Sequence, residues 1–193
     1  MNGALRIVLA VTGASGAALG IRIAERLSCR TDVETDLVVS AAAERTLVHE
    51  VGHDAPERLR ALVTRVHSAA NIGASIASGS CRTKGMIVAP CSMRTLAAIA
   101  AGITDNLVTR AADVHLKERR RLVLLTRETP LHLGHLRNML AATEMGAIVA
   151  PPVPAFYHRP QSIADIVDHL AARAIDLLDL PGDSEAKPWG GEG

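Results

Sequence analysis

The sequence predicts an α/β protein, a three-layer flavodoxin-like (Rossmann-like) sandwich with a mostly parallel sheet. Three observations carry this. Apolar runs and helical stretches alternate along the whole chain. The runs are continuously aliphatic, as strands buried on both faces require. Of 193 residues, 48% are hydrophobic, only 2% are aromatic and 32 are alanine, so the core is built from small aliphatic contacts. One domain over residues 1–180 is expected, with a tail over 181–193.

The elements follow in order. Arg6–Val11 reads as a strand, Thr12–Gly16 as a tight turn and Ala17–Leu27 as a helix. Thr35–Val39 is a second strand, with helices at Ala41–Val51 and Glu57–Val66. Gly85–Ala89 is a third strand, followed by helices at Ser92–Ala101 and Leu107–Arg120. Leu122–Thr126 is a fourth strand, Leu131–Met145 a helix and Ala147–Ala150 a fifth strand. A proline-framed loop leads to a last helix, Ile163–Leu178, and a Gly/Pro/charged tail expected to be mobile unless a partner subunit holds it.

Composition removes several functions. A formal net charge of +1 and three aromatics offer no general footprint for nucleic acid. No window approaches the ~18 apolar residues of a membrane span. The apolar run Ile7–Val11 is too short for a signal peptide, and three unpaired cysteines read as reduced thiols, so a cytoplasmic setting is expected. His49-Glu50-Val51-Gly52-His53 matches the HExxH zinc pattern, but Gly52 and Pro56 break the helix it needs, so no metal is expected. His132 and His135 share one helical face and read as packing or solvent-facing residues. Cys91 reads as a structural thiol.

Ligands of such sheets bind beyond the carboxyl ends of the strands. That collects Thr12–Gly16, Ser40, Pro90–Thr95, Thr126–Pro130 and Pro151–Pro160 around one crevice. The turn Gly13-Ala14-Ser15-Gly16 would let backbone approach an anion at a helix start. It is not GxGxxG, and Ser40 stands where NAD recognition would want an acid, which favours a flavin or nucleotide-type phosphate. Ser92 can cap a helix, with Thr95 in its first turn. Arg110 and Lys117, seven apart, share a helix face that could meet one anion. Arg127-Glu128 at a strand end suggests phosphate recognition beside an acid/base group. Phe156-Tyr157 puts two of the three aromatics in one proline-framed loop.

Residues 5–180 resemble the UbiX-like flavin prenyltransferases through VTGASGAALG (11–20), SGS (78–80), GMIVAPCSMRTLAAIAAG (85–102), RAADVHLKERRRLVLLTRETPL (110–131) and PPVPAFYHRP (151–160). The resemblance implies joining a dimethylallyl group, from dimethylallyl phosphate or pyrophosphate, to N5 and C6 of reduced FMN without a metal. The product, prenylated FMN, would serve a UbiD-type decarboxylase, and the enzyme would be a homo-oligomer, typically a dodecamer. By the same resemblance, FMN contacts fall on Gly13, Ala14, Ser15, Ser40, Ser92, Met93, Arg94, Thr95 and Arg127. Donor-phosphate contacts fall on Tyr157 and Arg173, with Lys117 and Arg110 near the same anion. Glu128, Glu50 and Lys117 fall in catalytic positions. Cys81 departs from the aromatic usual after SGS, Arg94 from a common lysine, and Gly134 from a bulky aliphatic. The rivals are an FMN-binding cysteine decarboxylase, which would carry a PASANT-like motif at 90–95, and a non-catalytic flavin carrier.

Overall fold

The computed structural model describes residues 4–191; residues 1–3 and the last two of the tail lie outside the described residues. Six parallel strands form one sheet, β1 (Leu5–Val11), β2 (Val33–Val39), β3 (Arg65–Ser68), β4 (Gly85–Cys91), β5 (Arg121–Thr126) and β6 (Ile148–Val149). Their spatial order is β3-β2-β1-β4-β5-β6. Seven helices flank them: α1 (Ala17–Ser28), α2 (Ala41–Glu50), α3 (Ala55–Ala61), α4 (Met93–Ala100), α5 (Leu107–Lys117), α6 (Leu133–Glu144) and α7 (Ile163–Asp176).

Side chains of the central strands divide by parity, as the pleat dictates. Ile7, Leu9 and Val11 of β1 join α1, α2, α3 and α7 in one core, while Val8 and Ala10 join α4, α5 and α6 in the other. All seven residues of β4 are buried. Small residues allow close approach: a Cβ on Gly20 of α1 would sit 2.7 Å from the Ala89 carbonyl oxygen.

Two expectations are corrected. The stretch ending at Val66 is not one helix: α3 stops at Ala61, and Arg65–Ser68 pairs in parallel with β2. This strand is a short polar edge, so it lacks the aliphatic run that marked the others. Without it, the remaining order is the flavodoxin one, 2-1-3-4-5 when renumbered; β3 extends it at one edge.

The tail is not loose within the described residues. Asp176, at the end of α7, accepts hydrogen bonds from the Glu185 and Ala186 amides and the Ser184 hydroxyl at 2.7–3.2 Å. Glu185 pairs with Arg26 at 2.9 Å and Arg30 at 3.3 Å, and Ala186 is buried. The chain's own ion pairs hold the segment, which brings Trp189 edge-on to Tyr157 at a centroid distance of 6.4 Å.

Candidate active site

The strand order reverses between β1 and β4, and their carboxyl ends are tied together by Thr12. Its buried hydroxyl donates to the Pro90 carbonyl at 2.7 Å and accepts from the Ser92 amide at 2.8 Å. Neighbouring strand ends are laced in the same way: the Ser40 amide donates to the Val11 carbonyl at 3.0 Å and the Arg127 amide to that of Cys91 at 3.1 Å. Sequence reasoning placed Thr12 at the crevice as part of the first turn but gave it no bonding role of its own. The available signal was a polar residue directly after the apolar run Ile7–Val11.

Two helices begin at this seam. Ser40 caps α2 by accepting from the Ala43 amide at 3.2 Å, and Ser92 caps α4 by accepting from the Thr95 amide at 3.3 Å. Both caps leave the first amides of their helices without intrahelical partners, and the helix dipoles add positive potential there. Thr95 is buried, Met93 is half-buried, and the Arg94 guanidinium pairs with Asp105 at 2.6 Å. The Thr126 hydroxyl, at the end of β5, is buried with no protein partner.

At the first turn the helix start meets a carboxylate of the chain's own. The Gly16 and Ala17 amides at the start of α1 both donate to Glu50 at 2.8 Å. Burial alone would raise the Glu50 carboxyl, but hydrogen bonds from Ser15 and from those two amides, with Arg127 nearby, hold it below the ordinary range. An anionic carboxylate therefore already occupies the helix start where a ligand phosphate was expected. Packing gives Gly13 a reason of its own to be glycine: a Cβ there would fall on that of Ala42 in α2, far inside van der Waals contact. Ala14 and Ser15 complete the turn between these two contacts.

Between the last residues of β5, the loop after β6 and the second half of α7 lies a cavity of about 210 Å³. Leu125, Ala150, Val153 and Leu170 contribute apolar wall, and Tyr157, Arg173 and His169 supply polar groups. Arg127 and Glu128 leave β5 between this cavity and the β1/β4 seam, both exposed, with Glu128 accepting from the Thr129 amide at 3.0 Å. Thus eleven predicted residues, Gly13, Ala14, Ser15, Ser40, Glu50, Ser92, Met93, Arg94, Thr95, Arg127 and Glu128, lie at one end of the sheet, while Tyr157 and Arg173 line the adjoining cavity.

Lys117 is not brought to that end. It closes α5 just before β5, whose six residues separate it from Glu128 by roughly 20 Å. There its ammonium pairs with Glu118 beside the Ser78–Ser80 loop. Arg110 pairs with Asp113 at 2.7 Å and donates to the Ala77 carbonyl at 3.1 Å. His115, between them, is fully buried. It contacts the Ala111 carbonyl at 2.7 Å and the Thr83 hydroxyl at 2.9 Å, and burial pushes it down to about 4. His132 is a helix cap: the Gly134 amide donates to its Nδ1 at 3.0 Å. Burial pushes the Cys91 thiol up to about 12, which makes it a poor nucleophile.

A parallel α/β sheet with capped helix starts at its reversal point and an adjoining half-apolar cavity defines a nucleotide-binding flavoprotein scaffold. The Flavoprotein family matches residues 1–175. Flavin prenyltransferase UbiX of Thauera aromatica is 53% identical over 97% of this chain and 96% of its own length. The AnUbiX crystal structure, in complex with FMN and dimethylallyl pyrophosphate, superposes with a TM-score of 0.92 at 50% identity, covering 98% of this chain and all of that one. A dodecameric FMN-dependent UbiX-like decarboxylase of Escherichia coli O157:H7 gives 0.91 at 46% identity, covering 97% of this chain and 100% of its own. The chain belongs to the UbiX-like flavin prenyltransferases.

Proposed function

We propose that the protein joins a dimethylallyl group, from dimethylallyl phosphate or pyrophosphate, to N5 and C6 of reduced FMN, with prenylated FMN passing to a UbiD-type decarboxylase. The observation that carries this is the pairing of two compartments beside β5: a seam of helix starts suited to a flavin phosphate, and a largely apolar cavity that also holds Tyr157, His169 and Arg173. The chain's residues fit the flavin. The starts of α2 and α4 offer unpaired amides, and the buried, unpartnered Thr126 hydroxyl offers a further polar contact. Glu50 at the start of α1 repels phosphate from that helix and so favours the other two.

Reduced FMN, when bound, supplies the nucleophilic N5 and C6. Arg127, beside Glu50, orients the flavin as a cation at its edge. Tyr157 and Arg173 bind the donor phosphate and stabilise the charge it gains as the allylic C–O bond breaks, a role that otherwise falls to a metal. The apolar wall keeps water from the five-carbon unit. Glu128, between the compartments, accepts the proton lost at the flavin carbon.

Lys117 serves the same anion only if another copy presents it, which fits a homo-oligomer. The exposed stripe Leu133, Leu136 and Leu140 on α6 fits such a contact.

Anaerobic incubation with reduced FMN and each donor, read by mass spectrometry, tests the proposal. The flavin is expected to gain one five-carbon unit. No gain with either donor refutes the activity, and retained FMN without turnover identifies a carrier. Glu128→Gln is expected to keep FMN and slow transfer by about 10²-fold or more; near-normal transfer removes Glu128 from its role.

A further inference from the structure

The donor cavity holds a third polar side chain that the family motifs do not mark. His169 lies four residues before Arg173 on α7, so the two share one helix face, and both line the cavity with Tyr157. The His169 ring packs against that of His158 at a centroid distance of 4.5 Å, and His158 packs in turn against Tyr157 at 4.4 Å. The imidazole is therefore held by a row of rings at the cavity wall.

The charges around it leave it without an anionic partner. Asp168 is bound by Arg22 at 2.7 Å and Arg26 at 2.9 Å. Asp176 is committed to the tail, and Asp165 accepts from the Gln161 and Ser162 amides at 2.8 and 3.0 Å. On the other side stand His158, Arg159 and Arg173. Burial, and then the neighbouring His158 and Arg173, hold His169 below the ordinary histidine range against the pull of Asp168 and Asp176.

We propose that His169 is a third donor-binding residue, which contacts the phosphate of the prenyl donor together with Tyr157 and Arg173. This rests on the prenyl-donor reading of the cavity. With the cavity empty, the imidazole is neutral near pH 7. A phosphate dianion beside it reverses the local field and favours the imidazolium, so the bound donor gains a charge-assisted hydrogen bond and binding takes up a proton. Donor affinity conferred by His169 then falls as pH rises through the raised value of the loaded site.

The test is calorimetry of dimethylallyl monophosphate on the full-length enzyme loaded with oxidised FMN, at pH 7 in two buffers of different ionisation heat. Parent and His169→Gln are compared, with His169→Asn as a second variant should the first fold poorly. The parent is expected to take up more protons per site than either variant, with a difference that vanishes for dimethylallyl alcohol. Steady-state prenylation is expected to show a donor KM raised about tenfold in the variants, with kcat changed much less. Equal proton counts and equal KM in parent and variants overturn the proposal, because a merely structural ring would not alter proton uptake. A parent that binds the monophosphate but never prenylates flavin refutes the enzyme reading instead, and the proton difference still decides the phosphate contact.

Discussion

Gly13→Ala separates two explanations of the first turn, ligand approach and helix packing. The added methyl would fall on the Ala42 Cβ, while its next neighbours, the Ala42 carbonyl carbon and Cα, lie at 3.3 and 3.4 Å. One methyl–methyl overlap therefore accounts for nearly all of the strain. No left-handed backbone angle is at issue, because Gly13 is not among the positive-φ glycines. Overpacking of this kind costs about 1–3 kcal/mol. Relief requires the start of α2, and with it Ser40, to move away from the seam, so FMN affinity falls with stability. At about 2–4 °C per kcal/mol for a chain of this size, the melting temperature drops by several degrees. Ala42→Gly alone costs about 0.5–1 kcal/mol as a helical glycine. In the double variant the overlap is gone and the remaining contacts are merely tight, so the coupling is favourable by about 1–2 kcal/mol. Thermal melts at fixed protein concentration give stability, and quenching of flavin fluorescence gives FMN affinity. If Gly13→Ala melts like the parent but loses FMN, and Ala42→Gly rescues neither, the glycine serves the ligand and the packing argument is wrong.

Two further outcomes follow from buried polar groups. His115 is held neutral down to about 4, whereas an unfolded histidine protonates near 6.5, so the unfolded state binds more protons between those values. Stability is lost as pH falls through this window, by about 2 kcal/mol between pH 7 and 5; His115→Gln should flatten the pH dependence of the melt, and an unchanged slope assigns the loss to other groups. Thr12→Val removes both hydrogen bonds across the β1/β4 seam and strands the Ser92 amide. We expect a loss of about 2–3 kcal/mol and weaker FMN binding; a melt within a degree of the parent would mean that water replaces the hydroxyl.

Aliphatic strands announce themselves, and β1, β2, β4 and β5 follow the apolar runs to within a few residues. Their carboxyl ends then locate the crevice by topology alone. The polar edge strand β3 carries no such run, and only pairing with β2 defines it. Periodicity put Arg110 and Lys117 on one face of a helix but is silent about which end of the sheet each reaches, so the separation of Lys117 from Glu128 was not legible. The tail failed for a related reason. Its composition suggests mobility, yet Glu185 meets arginines 159 and 155 positions away, a pairing that no local pattern encodes. Glu50 was placed by resemblance alone, because a carboxylate reaching the start of another helix leaves no spacing to read.

The scarcity of aromatics is explained by where they lie. Phe156, Tyr157 and Trp189 are 71%, 61% and 65% exposed, while both cores are filled by Ile, Leu, Val, Ala and single residues such as Met86. Stability is thus met by aliphatic packing, and none of the three rings is spent on the interior. Tyr157 lines the donor cavity, Phe156 precedes it, and the tail's ion pairs carry Trp189 to Tyr157 from 32 positions away. Broad apolar rings exposed at a cavity rim are costly to leave wet. Under the proposed function, the concentration of rings around Tyr157 fits a rim that the prenyl donor or a neighbouring copy covers. The same covering would dry the phosphate site and strengthen each charge that Tyr157, Arg173 and His169 place around it.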